Sequence, residues 1–83
     1  VMNTICDKKI ELLRPVEQLC YQVAHYLLGN ASEAAAASES ALIELFRSRL
    51  FVEGTEDERK RLAKEAAIRN AMRRACINQI PLH

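Results

Sequence analysis

Apolar residues recur at intervals of three and four through most of the chain, and polar caps and two glycines cut this pattern into three helical stretches. In the first, Leu12, Val16, Leu19, Cys20, Val23 and Leu27 define one stripe. That helix begins near Thr4 or Asp7 and ends at Leu28, with Gly29 next as a left-handed terminator. Pro15 falls inside it, so it either kinks the helix or occupies the first turn of the true helix after a short preceding segment.

The second stretch opens at Asn30, an N-cap, with Glu33 at capping-box spacing, and runs to about Phe51. Ala41, Leu42, Leu45 and Phe46 supply its packing face, and the small side chains of 34–37 let a neighbouring helix approach closely. The third stretch follows Gly54. Thr55 is its N-cap, Glu58 completes a second capping box, and Glu56 and Asp57 suit the positive end of the helix dipole. It runs to about Ile77, with Pro81 limiting any extension, and Leu62, Ala66, Ala67, Ile68, Ala71, Met72 and Ala75 form its apolar side.

Three helices with short connections predict an all-α fold, a compact bundle of three principal helices spanning one domain over 1–83, with the first helix open to a split at Pro15. Neighbouring helices are expected to be mainly antiparallel. Leu19, Val23, Leu27, Leu42, Leu45, Phe46, Leu62, Ile68 and Met72 are expected mainly inside.

Composition narrows the class. At 83 residues the chain has room for one domain, and 49% hydrophobic residues with only 2 Gly and 2 Pro argue against disorder and against a turn-rich β fold. No apolar run approaches the ~18–20 residues that span a bilayer, and no signal-peptide layout opens the chain. Cys6, Cys20 and Cys76 are too scattered for a disulfide framework. The expectation is a soluble cytoplasmic protein in a reducing compartment.

The net charge of +1 hides a strong asymmetry. Residues 1–58 carry 5 basic and 10 acidic side chains, whereas 59–83 carry Arg59, Lys60, Arg61, Lys64, Arg69, Arg73 and Arg74 against Glu65 alone. Intrahelical Arg61–Glu65 and Glu65–Arg69 pairs cannot balance seven cations. The basic last helix points to a polyanion or an acidic partner. Tyr21, Tyr26, Phe46 and Phe51 all lie outside it, which makes them core or core-edge residues rather than base-stacking platforms.

Catalysis finds little footing. Both glycines stand alone at helix ends, so no phosphate-cradling loop exists, and nothing in the spacing pairs a nucleophile with His25 or His83. Cys20 and His25 are five apart and do not stack on one helix face, so a metal site is not expected. The reading is a non-enzyme without cofactor.

The segment Tyr21-Gln22-Val23-Ala24-His25-Tyr26-Leu27-Leu28-Gly29-Asn30 resembles the end of the first helix in the second conserved region of bacterial RNA polymerase sigma factors, of the extracytoplasmic-function class. The run Glu33-Ala34-Ala35-Ala36-Ala37-Ser38-Glu39-Ser40-Ala41-Leu42-Ile43-Glu44-Leu45-Phe46-Arg47 is similar, without a gap, to that family's acidic and apolar second helix. Ala67-Ile68-Arg69-Asn70-Ala71-Met72-Arg73-Arg74 is similar to its Ile-Ala-Arg-Asn-Leu-x-x-Asp-Arg segment. Together these cover about two-thirds of the chain.

The resemblance implies a transcription-initiation domain that docks on the clamp helices of core RNA polymerase and contacts promoter −10 DNA. By that similarity Glu33, Glu39, Leu42, Ile43 and Phe46 face polymerase. Arg61, Lys64, Arg69, Asn70, Arg73 and Arg74 face DNA, with arginines on phosphates and Asn70 as the candidate base contact. An anti-sigma partner or a homodimer partner is compatible with the same scaffold.

The chain departs from the pattern in three places. The family's Asp-Leu-Val-Gln core is Ala36-Ala37-Ser38-Glu39, no tryptophan stands early in the third helix, and 83 residues leave no room for the family's second, helix-turn-helix domain, so the expectation is either one domain of a longer protein or a stand-alone sigma-like module. These departures keep a second expectation open, a helical protein-interaction module that keeps the scaffold without binding DNA.

Overall fold

Side-chain caps and one glycine set the boundaries of the three long helices. Asn30 Oδ1 accepts the backbone N–H of Glu33 at 2.9 Å, and Thr55 Oγ1 accepts that of Glu58 at 3.2 Å. Glu58 closes its box by accepting the Thr55 N–H at 2.8 Å. Gly29 takes φ +65°, the left-handed conformation that ends the first helix without a Cβ penalty. The computed structural model describes the backbone of residues 3–79 and the side chains of residues 7–76. Expectations for Pro81, His83 and the Cys6 side chain lie outside the described residues.

The chain is an all-α globule of three main helices packed together plus a short one: α1 (Asn3–Leu28), α2 (Ala31–Phe46), α3 (Arg49–Glu53) and α4 (Glu56–Gln79). The helices α1, α2 and α4 each pack against the other two. Pro15 does not split α1. It sits exposed within a single helix, and Glu11, whose carbonyl it leaves without an N–H partner, is also on the solvent side.

The second helix is shorter than its sequence predicts. It ends at Phe46, and the chain turns through Arg47 and Ser48, whose Oγ accepts the Phe51 N–H at 3.2 Å and starts α3. This turn swings Phe51 back to close the core, where it is 1% exposed. At the next corner Arg59 Nη1 donates to the carbonyl of Gly54. A Cβ at Gly54 would meet the Leu50 carbonyl oxygen at 2.8 Å.

The interior is built mostly of alanine. Val16, Cys20, Ala41, Leu45, Phe51, Ala63, Ala66 and Ala67 form the main cluster, with Leu19, Val23, Leu42 and Leu62 packed against it half-buried. A second cluster joins Ala24 of α1, Ala34 and Ala37 of α2 and Ala71 of α4. Here the small side chains let three helices meet closely. Cys20 Sγ reaches the carbonyl oxygen of Ala63 at 3.7 Å.

This close approach corrects part of the expected core. On α4 the buried positions are Ala63, Ala66, Ala67, Asn70 and Ala71, a stripe of small residues at helical spacing. Ile68 and Met72 stand aside from that stripe and are exposed, as is Leu27 on α1. Tyr26, expected at a core edge, is 87% exposed. No described helix is long and apolar enough to cross a membrane.

Candidate functional site

The antiparallel packing of α2 and α4 brings the acidic and basic halves of the sequence together. Arg74 Nε donates to Glu33 Oε1 at 2.8 Å, joining the end of α4 to the start of α2. That hydrogen bond, reinforced by the carboxylate's charge and opposed by burial, raises the Arg74 pKa above its ordinary value. One turn back on α4, Arg69 pairs with Glu44, and Asn70 Nδ2 donates to the other oxygen of the same carboxylate at 3.0 Å.

Asn70 is only 6% exposed and also donates to the Ala66 carbonyl at 2.7 Å. Its amide hydrogens are therefore directed into the fold. Of the six residues that the resemblance assigns to DNA, three (Arg69, Asn70 and Arg74) are bonded to α2 carboxylates.

The other three remain available. Arg61, Lys64 and Arg73 are exposed and make no ion pair among the described residues, and Lys60 beside them does the same. Neither intrahelical pair through Glu65 is among the described ion pairs, and Arg69 pairs with Glu44 instead. The third described ion pair, Arg49–Glu53, joins two exposed side chains within α3.

The residues assigned to polymerase divide in the same way. Glu39 and Leu42 line an open groove between α1 and α2, together with Glu17, Gln18 and Tyr21 of α1 and the small floor residues Ala35 and Ser38. Glu33 lies at the opposite, α4-facing edge with Arg74, and Ile43 points outward, 48% exposed. Phe46 is half-buried, with the Lys9 ammonium 4.9 Å from its ring centroid.

Sequence reasoning missed Glu44, which organises two α4 side chains, and Glu17 and Tyr21, which complete the α1–α2 groove. A position between two apolar residues gave Glu44 no local signal, since its partners lie 25 and 26 residues away.

Nothing in this arrangement assembles a nucleophile with a base. Tyr21 and His25 stack with ring centroids 5.8 Å apart on the exposed side of α1. Cys20 is buried, which pushes its thiol up to about 11, while Cys76 is exposed. No group of three or more His, Cys, Asp or Glu side chains able to hold a metal occurs among the described residues. Comparison of the chain with models of known families, with curated proteins and with solved structures finds no match.

Proposed function

We propose that the chain is a sigma-factor-like transcription-initiation domain, docking on core RNA polymerase through α2 and contacting promoter −10 DNA through α4. The observation that carries this reading is the set of exposed cations on α4. Arg61, Lys64 and Arg73 extend from one helix with no carboxylate ion pair, an electrostatic footprint suited to phosphates. The groove that holds Glu39 and Leu42 supports the polymerase half, and on this reading the docking surface extends onto Glu17 and Tyr21 of α1. Catalysis has no part in the role.

A second reading has its own observation. Because Arg69, Asn70 and Arg74 are engaged by Glu44 and Glu33, half of the expected DNA surface is spent on holding α2 to α4. That favours a helical protein-interaction module, a homodimer or a regulatory adaptor, on the same scaffold. Pull-down with core RNA polymerase separates the two. Binding that survives moderate salt and fails in Glu39→Ala or Leu42→Ala supports the initiation role. A stable homodimer that captures no polymerase supports the module.

A further inference from the structure

Charged side chains that the proposed role does not use converge at the turn between α2 and α3. Lys9 of α1, Arg47 and Ser48 of the turn, and Arg49, Val52 and Glu53 of α3 line a shallow hollow of about 240 Å³. Its wall holds three cations and one acid, a net charge of +2. The groove between α1 and α4, lined by Leu19, Val23, Leu27 and Ile68, is the opposite, with no charged side chain in its wall. Lys9 is remote from Arg47 and Arg49 in sequence, so only the fold brings the three together.

Each cation keeps donors for a ligand. The Lys9 ammonium lies 4.9 Å from the Phe46 ring centroid, a contact that steadies the half-buried side chain, and it makes no ion pair among the described residues. Arg47 is exposed and makes none either, and Glu44, one turn back on α2, is engaged by Arg69 and Asn70. Arg49 Nε donates to Glu53 at 3.1 Å in an exposed, weak pair, and its Nη atoms make no hydrogen bond among the described residues. Ser48 Oγ accepts the Phe51 N–H, which leaves its own hydrogen to donate. Asp7 and Glu11, the acids nearest Lys9 along α1, do not line the hollow.

We infer that the hollow lined by Lys9, Arg47, Ser48 and Arg49 is a binding site for a dianionic phosphate group, a phosphomonoester or the end of a diphosphate. The guanidinium groups of Arg47 and Arg49 suit paired N–H donation to phosphate oxygens, and Lys9 adds a point charge. A volume below the about 300–1,000 Å³ of drug-sized pockets fits a phosphate head rather than a whole nucleotide. The net charge of +2 matches a terminal phosphate, which carries about −1.5 to −2 near pH 7, better than a singly charged backbone phosphodiester. The inference does not depend on the polymerase and promoter reading, since no residue assigned to either partner lines the hollow.

The test titrates the chain with inorganic pyrophosphate and follows backbone amides by NMR. Shifts should centre on Lys9, Arg47, Ser48 and Arg49. Arg47→Ala should weaken binding about tenfold, and Glu53→Gln should tighten it about twofold or more by removing the competing carboxylate. Arg14→Ala, at a surface cation outside the hollow, should leave it unchanged. All three positions are exposed, and circular dichroism checks that the variants fold. Oligothymidylate with and without a 5′-phosphate then identifies the source of the group. Displacement of pyrophosphate by the phosphorylated strand alone assigns a strand end, and displacement by neither strand assigns a free diphosphate. Displacement by the unphosphorylated strand, which offers only diesters, overturns the inference. So does a titration that shifts no amide of the hollow, or an equal loss of binding in Arg47→Ala and Arg14→Ala.

Discussion

Asn70 Nδ2 donates to the Glu44 carboxylate at 3.0 Å, tying α4 to α2 across 26 residues of sequence. Because Asn70 is nearly buried, Glu44→Ala leaves one of its donors facing the interior unpaired. The expected cost is about 1–2 kcal/mol in urea unfolding. A double-mutant cycle with Asn70→Ala should give a coupling of about 0.5–1.5 kcal/mol. Additive effects would show that the contact contributes nothing.

Leu50 and Phe51 are neighbours in α3 with opposite environments, 75% and 1% exposed. Phe51→Ala should destabilise by about 3–5 kcal/mol, and Leu45→Ala in α2 by about 2–5 kcal/mol. Leu50→Ala should stay within about 0.5 kcal/mol. Chemical denaturation of the three variants checks the order, and a costly Leu50→Ala would misplace α3.

Burial holds the Cys20 thiol neutral, with its pKa raised from 9.0 to about 11. The unfolded chain therefore ionises this group first. Stability is unaffected by it below about pH 9 and falls as pH rises from there through 11. In a Cys6→Ser background, a thiol reagent at pH 8 should label Cys76 at once and Cys20 only on unfolding. Equal labelling rates would place Cys20 at the surface.

If Arg61, Lys64 and Arg73 engage three phosphates, log K should fall with log salt with a slope near −2.7 for duplex and about −2 for single strand. Arg73→Ala should weaken all sequences alike and flatten the slope by almost one unit. Glu44→Gln, by freeing Arg69, should steepen it by a similar amount. Labelled promoter-like strands titrated with salt give both slopes. An Arg73→Ala curve superimposed on wild type removes α4 as the DNA face.

Features set by neighbours in sequence were legible before the structure. The caps at Asn30 and Thr55 and the stop at Gly29 depend on residues within one turn, so their spacing announces them. Periodicity also located Leu45 in the core. It failed for Ile68 and Met72 because a 3.6-residue period identifies an apolar side but not which residues within it meet another helix. The alanines won that place because helices at close range have no room for larger side chains. Phe51 was placed in a longer second helix because the turn at Ser48 competes with helix continuation only once Phe51 has a core to enter. The division of the α4 cations was illegible for the same reason, since Glu33 and Glu44 reveal themselves as partners only across the folded interface.

Eight of the twelve buried apolar residues among the described positions are alanine, and this makes tolerance to substitution one-sided. At Ala24, Ala34, Ala37 or Ala71 any larger side chain pries three helices apart at once, and glycine sacrifices about 1 kcal/mol of helix propensity. The interior thus has almost no viable neighbours in sequence space. Variation is channelled to the outer faces, where the groove that holds Glu17 and Glu39 and the apolar groove between α1 and α4 can diverge independently without disturbing the scaffold that separates them.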